Sequence, residues 1–379
     1  METVKAVIFD MDGVIFDSER VIFEIWKDMS ERDHIKDMEL IFMQCVGISE
    51  QAMRDLVMGF YGPDFPYDEY RSEQSRIYHE RYDGGRLPMK PGVEHLLKAI
   101  KKRGLKCAVA SSTRREVVVN QLRAAGLEKY FDVIVCGDMI EKSKPDPEIF
   151  LNTAIELDTP PSECMVIEDS YNGIRAAFTA CMIPVMVPDL LLPDAEMRKK
   201  ARFIEKDLFG VEKLLDARII DREISLVPWY ENEAETLEWY QDPDVCKQCD
   251  NIDFVYSIDR LRSMYSYLNE NGRCYYIRRG DALVGDATLL DRHEICIVVA
   301  KPYQNQHIGR RVINNLVLLA RSLNYPEVKA QIYDFNLQSR KCFEACGFVK
   351  CGPEAYVYHL HSPYPEEKKT WNPSGSTDT

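Results

Sequence analysis

The chain has 379 residues, room for two or three domains of ordinary size. Apolar residues make up 45% and charged residues 29%, so it can bury full cores and is not a disordered tail protein. Lys plus Arg is 48 against 62 Asp plus Glu, a net charge of −14, and this gives no reason to expect nucleic acid or an anionic membrane as partner. No apolar run approaches the ~18 residues of a membrane span. The opening METVKAVIFDMDG lacks a signal-peptide layout, and twelve scattered cysteines read as reduced thiols, so a cytoplasmic location is expected.

Residues 4–16 read as a strand and its exit. Residues 18–84 are polar with apolar residues at helical spacing, as at Val21, Ile25 and Met29. From 93 to 215 strands alternate with helices: helix 93–103, strand 105–110, helix 114–125, strand 132–136, helix 147–157, strand 164–167, helix 172–180, strand 183–187. Such alternation predicts an α/β fold, a doubly wound, Rossmann-like parallel sheet with helices on both faces. Near 212–220 the character changes. Strand IIDREISLVPW, then CYYIRR, ALVGDATLLD and EICIVVA, precede a helix at 309–323, a strand at 328–333 and a helix at 337–346. This predicts a second α/β domain with an antiparallel start. Residues 361–379 are rich in Pro, Glu, Lys, Ser and Thr and read as a disordered tail.

Ligands of a doubly wound sheet bind at the carboxyl ends of its strands. Four polar clusters follow strand-like runs here: Asp10-Met11-Asp12-Gly13, Ser111-Ser112-Thr113, Lys144-Pro145-Asp146-Pro147 and Glu168-Asp169-Ser170. Taken singly, these are ordinary turns, solvated loops and helix caps. Together they gather acids, hydroxyls and a lysine. Acids suit a hard cation such as Mg²⁺, and the cation, lysine, hydroxyls and main-chain N–H groups suit a phosphate. Asp10 is then a nucleophile, and Asp12, two residues on, a group that reaches the leaving-group oxygen.

These clusters resemble the four motifs of the haloacid-dehalogenase-like hydrolases, in the branch that includes β-phosphoglucomutase and sugar phosphatases, over roughly residues 1–215. They are DMDGVIFDSE at 10–19, SST at 111–113, KPDP at 144–147 and EDS at 168–170. The resemblance implies that Asp10 forms an aspartyl-phosphate and that Asp12 acts as acid, then as base on water. It implies that Mg²⁺ sits on the Asp10 carboxylate, the Asp12 carbonyl and the Asp169 carboxylate. Ser111, Ser112 and Lys144 hold the phosphoryl group. It implies a core of residues 1–17 and 85–216 with an inserted helical cap at 18–84. Glu168 supports the metal through water or caps a helix, Asp17 orders the loop into the cap, and Asp146 orients Lys144. In the mutase, the cap segment similar to VGISEQAM (46–53) carries an Arg where this chain has Glu50, and a His where it has Ile22. Both differences favour plain hydrolysis. Arg54, Arg20 and Lys27 remain unassigned cap cations.

Residues 294–323 place a strand, a polar loop and a helix in series, with Val312, Ile313, Leu316, Leu319 and Ala320 on one helix face. Main-chain N–H groups between Gln304 and Arg310 would make an anion site, with Gly309 permitting close approach. A second run, NLQSRKCFEACGF, follows the strand VKAQIYD. The two runs resemble the GNAT acetyltransferases, over residues 219–362, a second α/β domain with a mixed sheet; residues 363–379 would be the tail. The family's acyl-CoA loop, Gln/Arg-x-x-Gly-x-Gly/Ala, corresponds to Gln304-Asn305-Gln306-His307-Ile308-Gly309, with His307 in place of the first Gly. The resemblance implies acetyl-CoA as co-substrate, bound by Val299, Gln304, His307, Ile308, Gly309, Arg310 and Asn336, and an amine acceptor. Phe343 stands where many members carry a proton-donating Tyr. Glu294 is the candidate base, with an exposed strand-end acid as the plain alternative. Cys246-Lys-Gln-Cys249 lacks a matching second pair and reads as structural thiols.

The expected protein is an Mg²⁺-dependent phosphatase of small phosphorylated metabolites, fused to an acyl-CoA-dependent acetyltransferase domain, with neither nucleic acid nor membrane as partner. The rivals are a sugar-phosphate mutase, and a C-terminal half that binds acyl-CoA or acts as a scaffold without catalysis.

Overall fold

The computed structural model describes residues 2–46 and 50–360. The tail assigned to 361–379 and the cap positions 47–49 lie outside the described residues. The chain divides into two compact units, one of residues 1–231 with 275–284, the other of residues 232–274 and 285 onward.

In the first unit a short strand β1 (Glu2–Thr3) precedes β2 (Ala6–Phe9), every residue of which is buried. Continuous burial is what a central parallel strand, covered on both faces, requires. The helices α1 (Ser18–Arg32), α2 (Met38–Cys45), α3 (Glu50–Tyr61) and α4 (Tyr67–Tyr82) follow. Their shared core is built on the fully buried Trp26, whose ring meets those of Phe42, Tyr67 and Tyr70. The alternating part runs α5 (Val93–Lys102), β3 (Lys106–Ser111), α6 (Arg115–Ala124), β4 (Val133–Cys136), α7 (Glu148–Glu156), β5 (Cys164–Glu168), α8 (Tyr171–Thr179), β6 (Ile183–Met186), α9 (Met197–Lys200), β7 (Phe203–Ile204) and α10 (Leu208–Glu212). The strands form a parallel sheet in the order β4-β3-β2-β5-β6-β7. β2 lies between β3 and β5, with Phe9 opposite both Val109 and Ile167. The strand order reverses at β2, so the residues just beyond these three strands gather at the switch point of the sheet.

The first unit also holds an antiparallel ribbon. β8 (Arg218–Ile219) pairs with β1 and with β9 (Ile224–Pro228), and β9 pairs with residues 275–279 of β10 (Gly272–Arg279). Arg278 is buried there and bonds Glu205 Oε1 at 2.5 Å and the Ile204 carbonyl at 3.3 Å. The pairing of residues 2–3 with 218–219 has no counterpart in the sequence expectations, because two-residue strands carry no periodicity.

In the second unit α11 (Glu233–Thr236), α12 (Pro243–Asp250) and α13 (Ile258–Glu270) come first. Asp242 caps α12, with Pro243 at its first position, and Ser257 caps α13. β11 (Ala282–Leu290) pairs antiparallel with β12 (Ile295–Val299) between Gly285 and Val299. α14 (Ile308–Ser322) buries Val312, Ile313, Leu316, Leu319 and Ala320, the face expected from their spacing. β13 (Glu327–Gln331), α15 (Leu337–Glu344), β14 (Val349–Gly352) and β15 (Ala355–His359) complete it, with antiparallel order β13-β15-β14. The last two strands were not read from the sequence; β14 is exposed over three of its four residues and shows no alternation. β12 and β13 belong to different sheets and meet at one parallel bridge, Glu294 to Lys329. Among the described residues no further bridge joins the two strands.

Candidate active sites

At the switch point of the first unit, Lys144 Nζ lies 2.5 Å from Asp10 Oδ1 and 2.7 Å from Glu168 Oε1, and donates to the Ala110 carbonyl at 3.2 Å. Glu168 is fixed from the other side, its Oε2 accepting from Ser170 N and Ser170 Oγ at 2.9 Å each. Ser170 Oγ in turn caps α8 through Gly173 N. Asp10, Glu168 and Asp169 are buried, and one carboxylate oxygen of each falls within 4.8 Å of the others. Two glycines make room for this cluster. A Cβ on Gly173 would sit 1.8 Å from the Glu168 carboxylate, and one on Gly13, at φ +76°, would sit 2.1 Å from Asp169 Oδ2.

Burial raises the Asp10 carboxyl to about 8; Lys144 opposes the rise, while Glu168 and Asp12 add to it. Asp169 is likewise pushed well up by burial and by the charges of Glu168 and Asp10. Burial pushes the Lys144 ammonium down, but the two carboxylates beside it more than offset that and hold it above its ordinary value. Three gathered acids with one lysine are short of positive charge. Hard oxygen donors at this spacing fit a divalent cation such as Mg²⁺.

Asp12 is not one of those three acids. Its Oδ1 accepts from Ser18 Oγ at 2.7 Å and its Oδ2 from Thr113 Oγ1 at 3.0 Å, so both oxygens are oriented. The fully buried Ser111 accepts from Thr113 N at 3.1 Å, and Ser112 is exposed. Asp17 Oδ1 binds Lys90 Nζ at 3.2 Å, and Lys90 also holds the buried Asp189 at 2.7 Å. Asp146 Oδ1 accepts from Glu148 N at 3.1 Å, opening α7. Of the cap cations, Arg54 pairs with Asp68, Lys27 with Glu39 and Arg20 with Asp189. Glu50 is exposed on α3, 3.6 Å from Arg71 of α4. Glu19 was not singled out from the sequence. It is raised to about 7 by burial and by the charges of Asp12 and Asp189, with Arg71 opposing.

In the second unit a cavity of about 600 Å³ is lined by residues of β12 and β13. Val299, Gln304, His307, Ile308, Gly309, Arg310 and Asn336 all line it, as do Glu294 and Phe343. His307 sits at φ +60° immediately before α14, so the helix N-terminus and its free N–H groups face the loop. Gln304 Nε2 braces that loop on the Val299 carbonyl at 3.0 Å. Asn336 caps α15 through Ser339 N and donates to the Gln248 carbonyl. Glu294 is held by Arg292 at 2.8 Å. Phe343 is buried edge-on against Phe348. Cys246 Sγ donates to the Tyr240 carbonyl, and Cys249 Sγ to the Cys246 carbonyl.

Residues 7–187 match the family model of haloacid dehalogenase-like hydrolases. A phosphorylated carbohydrates phosphatase of Thermotoga maritima is 34% identical over 181 residues, covering 47% of this chain and 82% of its own. A β-phosphoglucomutase of Bacillus subtilis is 34% identical over 191 residues, covering 48% of this chain and 83% of its own. A solved structure described as a putative β-phosphoglucomutase from Thermotoga maritima is 32% identical and gives a TM-score of 0.45, over 57% of this chain and 97% of that one. The chain belongs to the haloacid dehalogenase-like hydrolases. Residues 231–348 match the GNAT acetyltransferase family model, so the hydrolase is joined to a GNAT domain.

The fold of the hydrolase gathers Asp10, Asp12, Ser111, Lys144, Glu168 and Asp169 at the ends of β2, β3 and β5 and from the loop before α7. Among its residues, Thr113, Glu19 and the Lys90–Asp189 pair went unnoticed in the sequence. Thr113 lies inside the second cluster and Glu19 is the last residue of the first motif, DMDGVIFDSE, whereas Asp189 belongs to no motif and gains its place only through burial of its side chain.

Proposed function

We propose that the hydrolase cleaves phosphomonoesters of small metabolites, sugar phosphates foremost, through a phosphorylated Asp10, with Mg²⁺ as cofactor. What carries the reading is the convergence of Asp10, Lys144, Glu168 and Asp169 at one end of the parallel sheet. Asp10, Glu168 and Asp169 would hold the cation, which shields the phosphoryl oxygens from the attacking carboxylate. Lys144 sets the Asp10 carboxylate and presents its charge to the transferring group. An oxygen of Asp10 attacks phosphorus, the P–O bond to the leaving group breaks, and Asp12 gives that oxygen its proton. Ser18 and Thr113 keep Asp12 oriented for this and for the second half, in which Asp12 takes a proton from the water that attacks the phosphoaspartate. Ser111 and Ser112 supply donors to the phosphoryl oxygens.

Hydrolysis is favoured over mutase activity by Glu50. A bisphosphate intermediate brings a second dianion to the cap, where Glu50 repels it and its nearest cation, Arg71, is already engaged with Glu50 and Gln74. A glucose 1-phosphate isomer supplied with its bisphosphate and Mg²⁺ should yield free phosphate; efficient conversion to the 6-phosphate would contradict this reading. For the GNAT domain the cavity supports acetyl-CoA as ligand, with its pyrophosphate at the N-terminus of α14, and transfer to an amine. Calorimetry with acetyl-CoA tests it, and absence of binding at millimolar concentration would leave a scaffold.

A further inference from the structure

We propose that Asp286, rather than a strand-end acid, receives the acceptor of the GNAT domain, and that this acceptor is a small apolar primary amine whose ammonium proton passes to the Asp286 carboxylate. The inference rests on the acyl-transfer reading above. Three acids line the cavity: Asp250, Asp286 and Glu294. Two are already compensated. Glu294 is paired with Arg292 at 2.8 Å, and Asp250 accepts from Tyr256 Oη and from Arg260 at 3.4 Å. Asp286 is different. Its side chain is 4% exposed, its Oδ2 accepts from Tyr240 Oη at 2.8 Å and Tyr265 Oη at 2.9 Å, and among the described residues no cation pairs with it.

A carboxylate buried without a countercharge is costly, and a cation entering the cavity removes that cost. An ammonium is the cation an acyl-transfer site has reason to admit. Val245, Met264 and Leu268 also line the cavity and suit an apolar substituent on the amine. Four further titratable groups face Asp286 from the elements around it: Tyr240, Tyr265 on α13, Cys249 on α12 and Cys296 on β12. Tyr240, Cys249 and Cys296 are neutral at pH 7, because burial raises each of them. Burial raises Asp286 itself to about 6, against the pull of the two tyrosine bonds. A base with that value is ionised at neutral pH and still retains affinity for a proton.

The proton count closes without a further reagent. The ammonium gives one proton to Asp286 and becomes the free amine. Its nitrogen attacks the thioester carbonyl, the C–N bond forms and the C–S bond breaks, with the electron pair leaving on sulfur. The second proton shed by nitrogen passes to the thiolate, and Asp286 returns its proton to solvent. Phe343 need donate nothing in this sequence.

The test measures acetyl-CoA binding by calorimetry, and N-acetyl product by chromatography with butylamine and 2-phenylethylamine, for the full chain. Asp286→Asn keeps an oxygen for both tyrosine hydroxyls, so the fold should survive. Wild type should acetylate at least one probe, with kcat rising through about pH 6. Asp286→Asn should lose ~10²-fold in kcat and lose that rise, while its acetyl-CoA affinity stays at the wild-type value. Near-wild-type turnover by Asp286→Asn, loss of the pH rise in Glu294→Gln instead, or no acetylation of either probe by a wild type that binds acetyl-CoA would each overturn the proposal. A wild type that binds no acetyl-CoA would overturn the acyl-transfer reading beneath it.

Discussion

Lys144 holds together a site that would otherwise repel itself. It lies between Asp10 and Glu168, both buried, and its ammonium is the countercharge for two carboxylates. Lys144→Met should abolish phosphate release. Breaking a buried charged network of this kind costs ~3–5 kcal/mol in the metal-free protein, measurable by urea unfolding. A stability equal to wild type would mean the carboxylates take up protons without strain. Asp12→Ala should lose ~10²-fold or more in turnover, as when a general acid is removed. These residues were legible because each sits at a fixed offset from a strand end, in a local motif. Asp286, Tyr240 and Tyr265 were not. They are separated by 46 and 21 residues and converge only in the folded unit, so no spacing announces them.

At the scale of elements, two backbone positions control the sites. His307 precedes α14 at φ +60°, a conformation that favours glycine. A side chain there costs on the order of 1 kcal/mol, so His307→Gly should tighten acetyl-CoA binding several-fold by calorimetry. Weaker binding would mean that the imidazole itself contacts the ligand. Gly13 has the reverse role. With φ +76° and Asp169 pressed against it, Gly13→Ala should displace the Asp169 carboxylate and raise the Mg²⁺ concentration needed for half-maximal phosphate release. An unchanged Mg²⁺ requirement would remove Asp169 from the cation site. The strands and helices of the hydrolase were readable because buried parallel strands are short continuous apolar runs flanked by amphipathic helices. The end of the chain was harder. β14 is exposed and β15 mixes buried and exposed positions without strict alternation, so neither shows a period of two.

For the whole molecule, the sequence suggests two halves separable near residues 216–219. The first compact unit, however, includes residues 275–284, with Arg278 bound to Glu205 and the Ile204 carbonyl. A fragment of residues 1–218 should be soluble and melt cooperatively, because the parallel sheet and all of its buried core except Ile219 and Val227 lie within it. It should melt below the corresponding transition of the intact chain, since Glu205 loses its partner, and Arg278→Ala in the intact chain should reproduce part of that loss. Equal melting temperatures would show that the pair contributes nothing. The covalent role of Asp10 is the claim on which the hydrolase reading stands. The direct measurement is the initial rate of phosphate release from a panel of sugar phosphates, with Mg²⁺, by wild type and by Asp10→Asn. Wild type should release phosphate and lose this activity on chelation, and the folded Asp10→Asn should release none above background; turnover by Asp10→Asn close to that of wild type would contradict the mechanism.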